Sequence, residues 1–149
     1  MSAEDTQRER YGYFSKITTR WKDNDIYGHV NNVSYYSYFD SVANQYLIEK
    51  GGLELQTAEV VGFVVASECK YLEPIAYPEI IEVGLKVNKL GNSSVEYGLA
   101  IFRFNPENDK SAAVAHGRFT HVFVNRKTNK SSPIPDTIRE ALKAIHSTN

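Results

Sequence analysis

From residue 58 to residue 125 the chain is an almost unbroken succession of strand-forming segments, preceded by a single long helical pattern. Val60 to Tyr71 reads as one long strand. Ile81, Val83, Leu85 and Val87 then alternate with Glu82, Gly84, Lys86 and Asn88, the period-two pattern of a strand covered on one face. Leu90 to Ser93 makes a turn and Val95 to Phe104 continues as strand. Asn105, Pro106, Glu107, Asn108 and Asp109 form a turn cluster, and Ala112 to Asn125 is the last long strand. Upstream, Phe14 to Trp21 is β-rich and reads as the first strand.

Between that first strand and the rest lies the helix. Asn31 or Asn32 can cap it, it runs to about Lys50, and Gly51-Gly52 stops it. Tyr35, Tyr36, Phe39, Val42, Ala43, Tyr46 and Leu47 share one side, and Ser34, Ser37, Ser41, Asn44 and Gln45 the other, so the helix has a broad face to bury. Near the C-terminus, Pro133 and Pro135 lead into a short helix with Asp136 at its start and Ile138, Leu142 and Ile145 on one side. One long helix and about five strands predict an α+β fold with the helix on one face of an antiparallel sheet.

With 149 residues, the chain fits one domain with its own core, expected over residues 13–149 after a loose polar segment at 1–12. Seventeen basic against eighteen acidic residues argue against a nucleic-acid or membrane-surface partner. A single cysteine, Cys69, gives no internal disulfide, and no apolar run approaches a ~20-residue membrane span. With no apolar leader in the first ten residues, the expected compartment is the cytoplasm.

The chemistry concentrates at residues 20–40. Asp23, Asn24, Asp25 and Gly28 form an acidic loop just before the helix, whose N-terminus offers free backbone N–H groups and the positive end of a dipole. A carboxylate beside such donors can attack, or direct water at, a polarised carbonyl. Hydrolysis of an activated acyl group is the expected reaction class. A metal is not expected: Asp23, Asp25 and His29 lack a specific ligand spacing, and His116 and His121, five apart on one strand, face opposite ways. Nothing beside Cys69 marks a paired base for a thiol nucleophile.

Trp21, Asp23, Asp25, Gly28, His29, Val30, Asn31, Asn32, Tyr35, Tyr38 and Phe39, with Tyr71-Leu72-Glu73-Pro74, the segment from Leu90 to Ser94, and Ile134-Pro135, follow a family pattern over roughly residues 13–146. On these residues the chain resembles the hotdog-fold thioesterases of the 4-hydroxybenzoyl-CoA thioesterase-like branch. The resemblance implies a sheet wrapped around the long helix, an acyl-CoA substrate and no separate cofactor. It also implies a homo-oligomer, dimer or tetramer, with the active site at the subunit interface. It makes Asp25 the catalytic carboxylate, as nucleophile or as base, and the backbone N–H of Asn32 the donor to the thioester oxygen. His29, Tyr35, Tyr36, Phe39, Asp40 and Phe63 become candidates to bind the acyl part. Asp40 falls at the edge of the apolar helix face, where partial desolvation would raise its pKa. Lys70, Ser93, Ser94, Arg126 and Lys127 become candidates for the CoA moiety. Hydrolysis of carrier-protein thioesters and a non-catalytic acyl-binding module stay open as alternatives.

Overall fold

The computed structural model describes residues 3–107 and 111–147, so that Asn108 and Asp109 of the expected turn, and both chain ends, lie outside the described residues. Five strands, β1 (Tyr13–Thr18), β2 (Val60–Tyr71), β3 (Ile80–Leu90), β4 (Ser94–Arg103) and β5 (Ala115–Asn125), form one antiparallel sheet in the order β1-β3-β4-β5-β2. Helix α1 (Asn32–Glu49) lies on one face of it, and α2 (Asp136–Ala144) follows the last strand. This is the hotdog arrangement. Asn31 caps α1 by accepting a hydrogen bond from the Val33 N–H at 2.9 Å. Gly52 at φ +70° ends the helix in a conformation that favours glycine.

The core fills the space between α1 and the inner face of the sheet. Phe39, Val42, Ala43 and Leu47 from the helix meet Ile81, Val83, Leu85, Tyr97, Leu99 and Phe119. A Cβ at Gly117 would overlap the Glu68 carbonyl oxygen of β2 and stand 3.1 Å from Phe39 Cε2, so glycine there lets both the neighbouring strand and the helix ring close in. The helix face is turned slightly from the expected one: Tyr38 is buried and Tyr36 only half-buried.

Residues 1–12 were expected to be loose, but from Ala3 the segment folds over the outer sheet face in two 3-10 turns. Tyr11 is buried there with Ala100, Phe102 and Ala113. Its hydroxyl donates to the Asp5 carbonyl at 2.6 Å, and the Ala113 N–H donates to the Thr6 carbonyl. Tyr11 and Phe14 each pack on Phe102, and the Lys86–Asp5 and Arg8–Glu82 ion pairs add to the tie between the segment and the sheet. Among the described residues no helix is long and apolar enough to cross a membrane.

Among the described residues, strand β2 is a sheet edge and pairs with β5 alone. A β-bulge between Val64 and Ala66 shifts its register. Phe63, Val64 and Val65 are exposed there at 51%, 44% and 60%, a long apolar edge of the kind that pairs with another strand.

His116 and His121 do face opposite sides of β5. His121 lies on the core side, 1% exposed, and its Nδ1, like the Tyr97 hydroxyl, has no hydrogen-bond partner among the described residues. Burial pushes its imidazole down to about 4 from 6.5. The unfolded chain therefore gains a proton between pH 6.5 and 4 that the folded chain does not, and stability falls over that window. A gap of about 2.5 pH units corresponds to roughly 3 kcal/mol. Urea unfolding at pH 6.5 and pH 4.5 is expected to show a steeper loss for the wild type than for His121→Phe. Equal losses would contradict this account of His121.

Candidate active site

The segment from Thr19 to Asn31 is built around one buried carboxylate. Asp23 is 2% exposed and closes a 3-10 turn at Trp21–Asp23. Its Oδ2 accepts the Tyr38 hydroxyl at 2.7 Å and the Arg20 N–H at 2.9 Å, and its Oδ1 accepts Arg20 Nη2 at 3.1 Å. Burial alone would raise its pKa. The bonds from Tyr38 and Arg20, and the Arg20 charge, outweigh burial and hold the carboxyl below its ordinary range. The Asp23 carbonyl accepts the Asn31 N–H at 2.8 Å, which sets where α1 begins.

Between these anchors the chain makes a tight turn. Asp25 N–H donates to the His29 carbonyl at 2.8 Å, Gly28 N–H donates to the Asp25 carbonyl at 3.1 Å, and Gly28 sits at φ +86°. Asp25 is half-buried. Its Oδ1 accepts the Tyr27 N–H at 2.8 Å, whereas its Oδ2 accepts nothing among the described residues. Ile26 and Tyr27 at the tip are 93% and 81% exposed.

At the start of α1 the Ser34 N–H bonds the Asn31 carbonyl and the Val33 N–H bonds the Asn31 side chain. The Asn32 N–H has no acceptor among the described residues. Asn32 lines a cavity of about 300 Å³ together with His29, Val30, Tyr35, Tyr71, Leu72, Glu73 and Pro74. Tyr35 and Tyr71 meet edge to face there, with ring centroids 4.9 Å apart. The cavity lining thus brings together an apolar wall, one imidazole, one carboxylate and Asn32, a residue whose N–H stands without an acceptor among the described residues at the positive end of a helix. Such a donor can hold a carbonyl oxygen as negative charge develops on it. Among the described residues no group of three or more His, Cys, Asp or Glu is placed to hold a metal ion.

A family model described as the thioesterase-like superfamily matches residues 19–142, from the anchored loop through most of α2. The chain belongs to that superfamily. Its fold is shared with the PA5185 protein of Pseudomonas aeruginosa PAO1, 53% identical over 96% of this chain and 97% of that one, at a TM-score of 0.90. PA2801, also of P. aeruginosa, is 32% identical over 87% and 96% of the two chains, at a TM-score of 0.77. The long-chain acyl-CoA thioesterase FadM of Escherichia coli K12 is 25% identical over 88% of this chain and 97% of its own length. The chain is accordingly a thioester hydrolase.

In this thioesterase the candidate residues fall into separate groups. His29, Asn32 and Tyr35 line one cavity, with Asp25 in the adjoining turn but not in the cavity wall of the single chain. Tyr36 stacks on Phe119 at 5.9 Å, beside the core. Phe39 was expected at the acyl site but is wholly enclosed against Phe119 and Gly117, so it is core. Phe63 was expected beside it. The bulge instead pairs it with Val122, on the sheet face away from α1. Asp40 was expected to be partly desolvated; it is exposed and accepts Asn44 Nδ2 at 3.2 Å. The cap is Asn31, and Asn32 is the first helical residue.

The CoA candidates divide between the two ends of β2. Lys70 is exposed beside the cavity residue Tyr71. Arg126 donates to the Leu55 carbonyl and Lys127 pairs with Glu59 at 3.2 Å, both at the opposite end. Ser93 lies at that end too, its carbonyl accepting the Phe123 N–H, with Ser94 next to it. Ten residues of strand separate the ends, roughly 33 Å. Val30 and the wall from Leu72 to Pro74 were quoted in the family pattern, but their lining role has no periodic signal in sequence. Tyr38 lies fifteen residues after Asp23, and only the fold shows that the two meet.

Tyr38→Phe leaves Asp23 buried with one donor fewer, which is expected to cost about 1–3 kcal/mol at pH 7. Because the folded pKa of Asp23 is depressed, its stabilisation is present above the unfolded value near 3.9 and lost as pH falls through the folded value. The penalty of the substitution should therefore shrink toward pH 3 in chemical unfolding. A penalty that does not change with pH would contradict the role given to Asp23.

Proposed function

We propose that this chain hydrolyses acyl-CoA thioesters: water adds to the acyl carbon, the carbon–sulfur bond breaks, and the products are a carboxylic acid and the CoA thiol. The observation that carries the proposal is Asn32 at the head of α1: its N–H has no acceptor among the described residues, and the residue lines a cavity with an apolar wall beside the Asp25–His29 turn. The carbonyl oxygen binds this N–H, and Asp25, through its free Oδ2, either attacks the carbonyl carbon or takes a proton from the attacking water. The acyl group lies against Tyr35, Tyr71, Leu72 and Pro74. The name of FadM supports CoA as the carrier and a long acyl chain as the first substrate to try. No cofactor is needed, and the reaction draws on a cytoplasmic CoA pool.

The working unit proposed is a homodimer joined along β2, from which a tetramer could be assembled. Support comes from the apolar exposure of Phe63, Val64 and Val65 on an edge that is unpaired among the described residues. Antiparallel pairing of two β2 strands sets the Tyr71 end of one chain against the Val60 end of the other. Lys70 beside one cavity would then stand near Arg126 and Lys127 of the second copy, which a single chain keeps roughly 33 Å apart. The exposed Ile26 and Tyr27 would also gain a covering surface.

A hydrolysis screen with thiol detection across short, long and aromatic acyl-CoAs tests the proposal. Asp25→Asn is expected to lower kcat at least ~100-fold on the preferred substrate. Unchanged turnover in that variant would remove Asp25 from the chemistry, and turnover of carrier-protein thioesters alone would replace the CoA substrate.

A further inference from the structure

Arg103 ends β4 outside the cavity wall and directs its whole guanidinium at the segment that follows β2. Its Nη1 donates to Glu73 Oε1 at 2.8 Å, its Nη2 to the Pro74 carbonyl at 2.6 Å, and its Nε to Glu79 Oε1 at 2.7 Å. Glu73 and Pro74 line the cavity. Glu79 carries the restraint onward, because its Oε2 accepts the Ala76 N–H at 2.7 Å and its carbonyl accepts the Thr19 N–H. Between these points the buried Ile75 gives its carbonyl to the Val30 N–H at 2.8 Å, and the Tyr77 N–H donates to Asn24 Oδ1 at 3.0 Å.

A single exposed ion pair contributes little. Here one planar fork satisfies two carboxylates and a carbonyl in three directions, and every acceptor lies on the same short loop. Guanidinium geometry suits this; a lysine ammonium is a point donor that does not span the three sites. The loop has no regular secondary structure of its own: the Leu72 and Glu73 N–H groups bond the Val114 carbonyl at its start, and Arg103 is the side chain that ties the Glu73 carboxylate, the Pro74 carbonyl and Glu79 to one another.

We infer that Arg103 is a positioning residue: by clamping Glu73, Pro74 and Glu79 it holds the Leu72–Pro74 wall of the acyl cavity in place against the loop that carries Asp25. The inference rests on the thioesterase function proposed above for its kinetic consequence, and on the geometry alone for its structural one. Substrate contacts made equally in the ground and transition states should suffer, which shows in KM.

The test compares Arg103→Met, Arg103→Lys and Glu73→Gln in the full chain by steady-state kinetics and amide hydrogen exchange. Arg103→Met is expected to raise KM for the preferred acyl-CoA at least ~5-fold while kcat changes by less than ~3-fold. Exchange at the Ala76 and Val30 amides should speed up at least ~10-fold. Arg103→Lys should fall between this variant and the wild type, as a partial rescue. Should Arg103→Met not fold, Glu73→Gln carries the test, with a KM rise of about 2-fold expected. A folded Arg103→Met with wild-type KM and wild-type exchange overturns the inference, as does a fall in kcat at constant KM, or an unaltered Glu73→Gln where only that variant folds. A wild-type chain that hydrolyses no thioester overturns the proposed function instead, and amide exchange then still decides whether Arg103 clamps the loop.

Discussion

The hydrogen bond from the Tyr38 hydroxyl to the buried Asp23 carboxylate is the contact on which the arrangement of the site depends. A carboxylate 2% exposed is costly unless its oxygens are satisfied, and Tyr38 from α1 and Arg20 from the preceding turn supply the donors. Because one donor comes from the helix and the others from the chain leading into it, Asp23 fixes the first turns of α1 against the loop. The Asp23 carbonyl then takes the Asn31 N–H, so the cap, the unsatisfied Asn32 N–H and the Asp25 turn all inherit their positions from one buried ion. Stability and the proposed chemistry therefore meet at the same side chain.

Around that junction the molecule divides its polar groups by place. On the inner face of the sheet, His121 Nδ1 and the Tyr97 hydroxyl are carried in the core without partners among the described residues, whereas Tyr13 and Ser15 of β1 hydrogen-bond Gln45 of α1. Charges gather on the outer face and at the loops: Lys86 against Asp5 under the N-terminal segment, and Arg103 against Glu73 and Glu79 beside the cavity. The cavity itself is bounded by the start of one helix and the end of one edge strand. That strand exposes apolar side chains on both of its faces, the feature on which the proposed pairing of two copies rests.

Much of the fold was legible because it is periodic. Alternation of Ile81 to Val87 and the helical stripe from Tyr35 to Leu47 identify β3 and α1 within a residue or two, and β2 has the boundaries its sequence suggests. The departures have physical causes. Strict alternation back from Cys69 and Ser67 puts Phe63 on the helix side; one extra residue at the bulge turns it to the other face. Asp40 sits at a boundary on a helical wheel, yet the packing of α1 leaves it in the open. Tyr11 and Phe14 bind the N-terminal segment across the sheet, a long-range contact that a polar stretch does not advertise. At the site, the loop and helix start were readable from residue types alone. The wall from Tyr71 to Pro74 and the clamp from Arg103 were not, since they are joined only by the fold.

The most direct measurement is a crystal structure of the protein soaked or co-crystallised with a non-hydrolysable acyl-CoA thioether or ketone analogue. Asn32 N–H is predicted to lie within hydrogen-bond distance, about 3 Å, of the analogue's carbonyl oxygen, with an Asp25 carboxylate oxygen facing the same carbonyl carbon. An analogue seated with its carbonyl away from Asn32, or with Asp25 turned to a separate cavity, would contradict the account.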